Sequence, residues 1–105
     1  MAYQISWSEG AIDDLAAIAA YIEIDSPAHA ASVVTRIVDE VADLPRFPRA
    51  NRKVPEYDHE LICQRVVFSY RAIYRIKDEE RSIEILAVVH GARILPEEVR
   101  DRIGD

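Results

Sequence analysis

The feature that most limits how this chain can fold is a change in the spacing of its apolar residues part-way along. From Ile12, the residues Leu15, Ala16, Ile18, Ala19 and Ile22 fall on one broad face of a helix advancing about 100° per residue. A second stripe follows, made of Ala30, Val33, Val34, Ile37, Val38, Val41 and Leu44, with Arg36, Asp39, Glu40 and Asp43 opposite. Pro45 and Pro48 stop the pattern. After a polar loop from Arg46 to Glu60, three runs rich in Val, Ile and Tyr succeed one another: Leu61 to Val67, Tyr70 to Lys77, and Ser82 to His90. Short polar turns separate them, so they read as strands of an antiparallel meander. Helices first and strands after make an α+β fold.

The ends of these elements carry their own signals. Tyr3, Ile5 and Trp7 alternate with Gln4 and Ser6, the period of a half-buried N-terminal strand. Ser8 can cap the first helix, whose early acids Asp13 and Asp14 read as a helix-start signal rather than a catalytic pair. Ser26-Pro27 starts the second helix, and the short gap between the two predicts an antiparallel hairpin. In the middle strand run, Tyr70, Ala72, Tyr74 and Ile76 share one face and Arg71, Ile73, Arg75 and Lys77 the other. The first face is expected to pack and the second to be basic. Leu95-Pro96-Glu97-Glu98 opens a short terminal helix reaching about Ile103, before Gly104. At 105 residues, half of them hydrophobic, one domain over 1–105 with the order β-α-α-β-β-β and a short C-terminal helix is expected.

Composition excludes several classes. The longest unbroken apolar run, Leu15 to Ile22, falls far short of the roughly 18 residues a membrane span needs. The first seven residues have neither a basic start nor a long apolar stretch, so no signal peptide is expected. One cysteine, Cys63, cannot form an internal disulfide and reads as a small buried hydrophobe, consistent with a cytoplasmic protein. His29, His59, His90 and Cys63 show no metal-ligand spacing, and Gly10, Gly91 and Gly104 cannot build a phosphate loop. No metal and no cofactor is expected.

Charge is distributed unevenly. The net charge is −6, but the first 44 residues carry −7, Pro45 to Ile76 carry +4, and the remainder −3. The basic middle supplies Arg65, Arg71 and Arg75 on strands and Arg49, Arg52 and Lys53 in the preceding loop, with His90 and Arg93 further on. If Arg65 shares a face with Arg71 and Arg75, these cations converge. Such a surface can clamp a phosphodiester with His90 as proton donor, or it can dock an acidic protein or a DNA backbone. Salt bridges to the many acids account for each arginine equally well, and spacing does not choose among these.

Five segments stand in a telling order: the start Tyr-Gln-Ile-Ser-Trp-Ser-Glu-Gly-Ala-Ile-Asp-Asp-Leu, Tyr21-Ile22 before Ser26-Pro27, and Phe47-Pro48-Arg49 running to Val54-Pro55-Glu56, then Tyr70-Arg71-Ala72-Ile73-Tyr74-Arg75-Ile76 and the ending His90-Gly91-Ala92-Arg93. Together they resemble the RelE/ParE toxin superfamily, and most closely its ParE branch. The resemblance implies a helical hairpin packed on an antiparallel sheet, and a toxin of a type II toxin-antitoxin system neutralised by a cognate antitoxin. In RelE-like members the activity is ribosome-dependent mRNA cleavage, which would make Arg71 a phosphate-stabilising residue and His90 a general acid. Ribonuclease members often carry a tyrosine after this point, where this chain has Gly91, Ala92 and Arg93. ParE-like members are similar in fold but poison DNA gyrase, with roles in plasmid stabilization and no catalysis of their own. On that reading Arg65, Arg71, Arg75 and Arg93 bind the target, while Tyr21 and Ile24, roughly 180° and 120° around the first helix from Ile12, meet the antitoxin. A third possibility is a non-toxic member acting mainly in toxin-antitoxin complex formation.

Overall fold

Two serines set where the helices begin. In the computed structural model, which describes residues 3–57 and 59–104, Ser8 Oγ accepts from Ala11 N at 3.1 Å and Ser26 Oγ from His29 N at 3.1 Å. They open α1 (Glu9–Glu23) and α2 (Pro27–Ala42), which a 3-10 turn at Leu44–Arg46 closes. Before them lies β1 (Gln4–Trp7); after them come β2 (Ile62–Val67), β3 (Tyr70–Lys77), β4 (Ser82–His90) and α3 (Glu97–Ile103). The hairpin, the meander and the terminal helix all lie where the periodicity puts them.

The sheet runs β1-β4-β3-β2. It is mixed rather than wholly antiparallel, because β1 pairs in parallel with the first half of β4, from Gln4 beside Ser82 to Trp7 beside Ile85. The N-terminal strand therefore joins the last strand, far away in sequence. Its alternation is as expected: Ile5 and Trp7 pack against the helix-side core with Leu15, Ile18 and Ile22. Ile12 and Ala16 stay exposed, so the buried stripe of α1 is narrower than the sequence implies.

Both faces of the sheet are buried. On the helix side Ala72, Tyr74 and Ile76 of β3 meet Val33, Ile37, Val41 and Leu44. The opposite face, expected to be basic, is instead a second core of Ile62, Ile73, Leu86 and Val89 under Val54, Leu95, Val99 and Ile103. The reason is α3, which lays its apolar side across that face. A bulge in β4 makes this packing possible: Ile73 pairs with Ala87 and Tyr74 with Ile85, leaving Leu86 unmatched. Leu86 and Ala87 thus both serve the second core, and the alternation of β4 is reversed beyond them.

Because β1 covers only residues 82–85, the rest of that edge of β4 would expose backbone groups. Side chains close it. Asp14 Oδ2 accepts from Val88 N at 3.0 Å, and Leu86 O accepts from Ser8 Oγ at 3.2 Å and Arg102 Nη1 at 3.3 Å. Arg102 also donates to Asp14 at 2.8 Å, tying α3 to α1 across the sheet edge. A Cβ at Gly10 would come within 2.8 Å of the Arg102 guanidinium, which explains a glycine on that helix turn. Asp14 is therefore more than a helix-start charge. Asp14→Ala leaves the Val88 amide and a partly buried Arg102 without their acceptor, so urea unfolding should show a loss of about 2 kcal/mol. A loss below about 0.5 kcal/mol would mean that water replaces the carboxylate at no cost.

Candidate functional site

Most arginines in this acidic chain are already paired. Arg36 and Arg65 meet Glu40 at 3.2 and 2.8 Å, Arg46 meets Asp43 at 3.5 Å, and Arg49 meets Asp78. Arg71 is bound to Glu56 and Arg102 to Asp14. Arg52 and Arg93 are exposed and have no acidic partner among the described residues. Both line the same open depression of about 700 Å³, at the end of the sheet where β3 starts and β4 finishes. Exposed Val66 (54%), Phe68 (60%) and Ile94 (75%) give it an apolar floor and rim. These two positive charges beside large exposed apolar side chains make an open surface rather than an enclosed cavity, with the mixed composition that can dock a partner.

The expected arginine cluster is not assembled as the sequence suggests. Arg65 pairs with Ala72 across β2 and β3, so its side chain lies on the helix face, opposite to Arg71. There Nε donates to Asn51 Oδ1 at 2.9 Å and Nη1 to Glu40 Oε1 at 2.8 Å. Arg75 shares the face of Arg71 but donates to the Ile103 carbonyl at the end of α3, away from the depression. Arg71 lines the depression from beneath, being only 4% exposed. Arg93 alone of the four is both exposed and at the mouth.

Arg71 is the centre of a buried polar network. It donates to both Glu56 oxygens, at 2.8 and 2.6 Å, to Gln64 Oε1 at 3.0 Å and to Arg93 O at 2.6 Å. Its Nε is buried without a partner. Glu56 Oε2 also accepts from Leu95 N at 3.2 Å. The Arg71 guanidinium holds the Glu56 carboxyl down at about 2, against the opposing effect of its burial.

His90 ends β4 and lines the same depression. Its Nδ1 accepts from Ala92 N at 3.2 Å, and the Tyr70 ring meets its ring edge-on at 5.7 Å. Gly91 N donates to Ser69 O at 2.6 Å, and a Cβ there would press on that oxygen at 3.1 Å. The β2–β3 turn is unusual, since Phe68 adopts a left-handed φ of 55° that bulky residues seldom take. Arg36 covers its ring at 5.6 Å. Among the residues missed by sequence reasoning, Phe68 left one visible trace: it stands where a tight hairpin calls for Asn or Gly. Glu56 and Ile94 left none, because neither burial against Arg71 nor exposure beside Arg93 has a local pattern.

A second groove, of about 420 Å³, lies between α1 and α3 along β4. Tyr21, Ile18, Val88 and Val99 line it, and it shares His90 and Arg93 with the first. Tyr21 is 76% exposed at its wall. Ile24 is exposed too but stands outside the groove.

Residues 5–95 match the family model described as the ParE toxin of the type II toxin-antitoxin system parDE. The chain belongs to the ParE toxin family. A Sinorhizobium fredii protein named "Putative toxin Y4kP" is 37% identical to this ParE-family chain over 97 residues, 90% of the chain and 94% of that protein. Among solved structures, a toxin-antitoxin ParDE system from P. aeruginosa superimposes with a TM-score of 0.69 at 23% identity, covering 84% of the chain and 95% of its counterpart. An E. coli RelE toxin mutant in the free state gives 0.65 at 20% identity, over 97% and 94% of the two chains. The RelBE2 complex from Mycobacterium tuberculosis gives 0.59 at 26%, over 86% and 99%. ParE and RelE toxins thus share this α+β architecture, and the fold alone does not separate them.

The depressed carboxyl of Glu56 makes this ParE-family site acid-sensitive. Its ionised form adds stability above its ordinary value of 4.5, and this is lost as pH falls through about 2. Unfolding free energy measured from pH 6 to pH 2 should fall by up to about 3 kcal/mol more in the wild type than in Glu56→Gln. Equal slopes would show that the pair contributes no linkage. Arg71→Ala, which strands the carboxylate, should cost about 3–5 kcal/mol, so Arg71 cannot be removed as a neutral surface residue.

Proposed function

We propose that this type II toxin acts on DNA gyrase, blocking replication, and that the mouth around Arg93 is its target-docking surface. The observation carrying this reading is Arg93 itself: exposed, without an acidic partner among the described residues, and set beside Arg52 and the apolar Val66, Phe68 and Ile94. An arginine flanked by aromatic and aliphatic surface, and desolvated once a partner covers it, is the composition of protein-binding hot spots. The family match is to the ParE toxins, and the resemblance of the sequence to that branch implies action on gyrase. Of the other target candidates, Arg71 contributes from below by holding the Arg93 backbone, whereas Arg65 and Arg75 fasten the loop and helix around the site. Action on gyrase places the protein in the cytoplasm.

An antitoxin is its second partner, as in the ParDE and RelBE complexes that share the fold. The groove between α1 and α3 suits an amphipathic helix or extended segment from that partner. Tyr21 and Ile18 supply its apolar wall, with Ile24 an exposed extension at the end of α1. The pairing of poison and antidote would serve plasmid stabilization.

Pulse labelling of DNA and protein synthesis in the minutes after induction tests the target. DNA synthesis should fall first while translation continues, and Arg93→Ala should relieve the block with unfolding free energy changed by less than about 0.5 kcal/mol. An early collapse of translation would overturn the gyrase reading in favour of mRNA cleavage at the ribosome, with His90 as the acid. For the antitoxin, Tyr21→Glu should weaken binding by about tenfold or more, read by calorimetry, and leave growth inhibition intact. Unchanged affinity would remove the groove from the interface.

A further inference from the structure

Arg93 lies in a segment, residues 91–96, that belongs to no helix or strand. A loop of this kind ordinarily samples many conformations, and a charged side chain on it would lose much entropy on docking. Here the backbone immediately after the Arg93 side chain is fastened from below. Its own carbonyl accepts from Arg71 Nη2 at 2.6 Å, and the amide two residues on, at Leu95, donates to Glu56 Oε2 at 3.2 Å. Leu95 itself is sunk in the second core, 3% exposed. Glu56 is the group common to both ties, since the same oxygen that takes the Leu95 amide also receives Arg71 Nη2 at 2.6 Å.

A buried ion pair adds little net stability over a well-packed apolar pair, so stability alone is a weak reason for this one. What an apolar replacement could not do is grip the backbone of residues 93 and 95. We propose that Glu56 is a positioning residue: directly at Leu95 and through Arg71 at the Arg93 carbonyl, it holds the loop so that Arg93 is presented to the target in a preformed geometry. This rests on the docking role of Arg93 proposed above. Affinity then comes partly from order already present in the free protein.

The test is a double-mutant cycle between Glu56→Gln and Arg93→Ala, read as the concentration that half-inhibits gyrase supercoiling, together with amide exchange in each folded variant. Glu56→Gln should raise that concentration roughly tenfold in the wild-type background and less than about twofold in the Arg93→Ala background. Exchange at Leu95 should quicken on the order of tenfold more than at core amides such as Tyr74 and Ile85, which report global stability. If the two substitutions add independently, or if Leu95 exchange merely follows the core, the positioning role is overturned while the gyrase reading stands. If Arg93→Ala alone leaves inhibition intact, the functional reading fails and takes this inference with it. Should Glu56→Gln not fold, Glu56→Asp carries the same cycle: it keeps the charge for Arg71 but is one methylene too short to serve Leu95 as well.

Discussion

A guanidinium placed inside so small a chain obliges its surroundings to converge on it. Arg71 lies at the start of β3 and is nearly inaccessible, so its Nη donors must find acceptors without help from bulk water, while its Nε finds none among the described residues. Gln64 comes from the neighbouring strand, Glu56 from the long loop before β2, and the Arg93 carbonyl from the loop after β4. Two loops are thereby brought to one point beside β2. The depression above them inherits its shape from this convergence, and its two open charges, Arg52 and Arg93, lie on the very loops so gathered.

The same logic governs the first part of that long loop. Tyr74 is fully buried, yet its hydroxyl donates to Pro48 O at 2.8 Å and accepts from Asn51 Nδ2 at 3.1 Å. Asn51 in turn receives Arg65, whose guanidinium reaches Glu40 on α2. The basic middle of the chain is therefore mostly an internal adhesive, its arginines spent on acids of the helices and loops. Only what remains after that pairing is available to a partner, which is why a surface with a positive mouth can exist on a protein of net charge −6.

Much of this architecture was legible in the sequence because it depends on local periods. The stripe from Ala30 to Leu44 and the serine caps are written in residue order, as are the three strand runs. The face of Arg65 was not, because it follows from inter-strand register, and one residue of slip reverses it. The parallel pairing of β1 with β4 and the bond from Asp14 to the Val88 amide join residues more than seventy positions apart, beyond any periodicity. The basic face foreseen on β3 failed for a related reason: Ile73 is covered by Leu95, Val99 and Ile103, which sequence reading treated as a separate terminal helix, and Arg71 is bound to Glu56. The ending His90-Gly91-Ala92-Arg93, singled out in the sequence, lines the depression, whereas the grip of Glu56 on Arg71 has no trace in residue order.

The unmatched Leu86 has a further bearing on how such chains can diverge. Beyond it the side chains of β4 exchange sides, so Val88 enters the helix-side core and His90 emerges beside Tyr70. A β4 one residue shorter or longer at that point would send His90 to the other side of the sheet and offer Val88 to the wrong core. Residue substitutions along this strand can be absorbed one at a time, but a change of its length cannot. The count of residues between Ile85 and His90 thus sets which side of the sheet His90 reaches, and with it one wall of the depression.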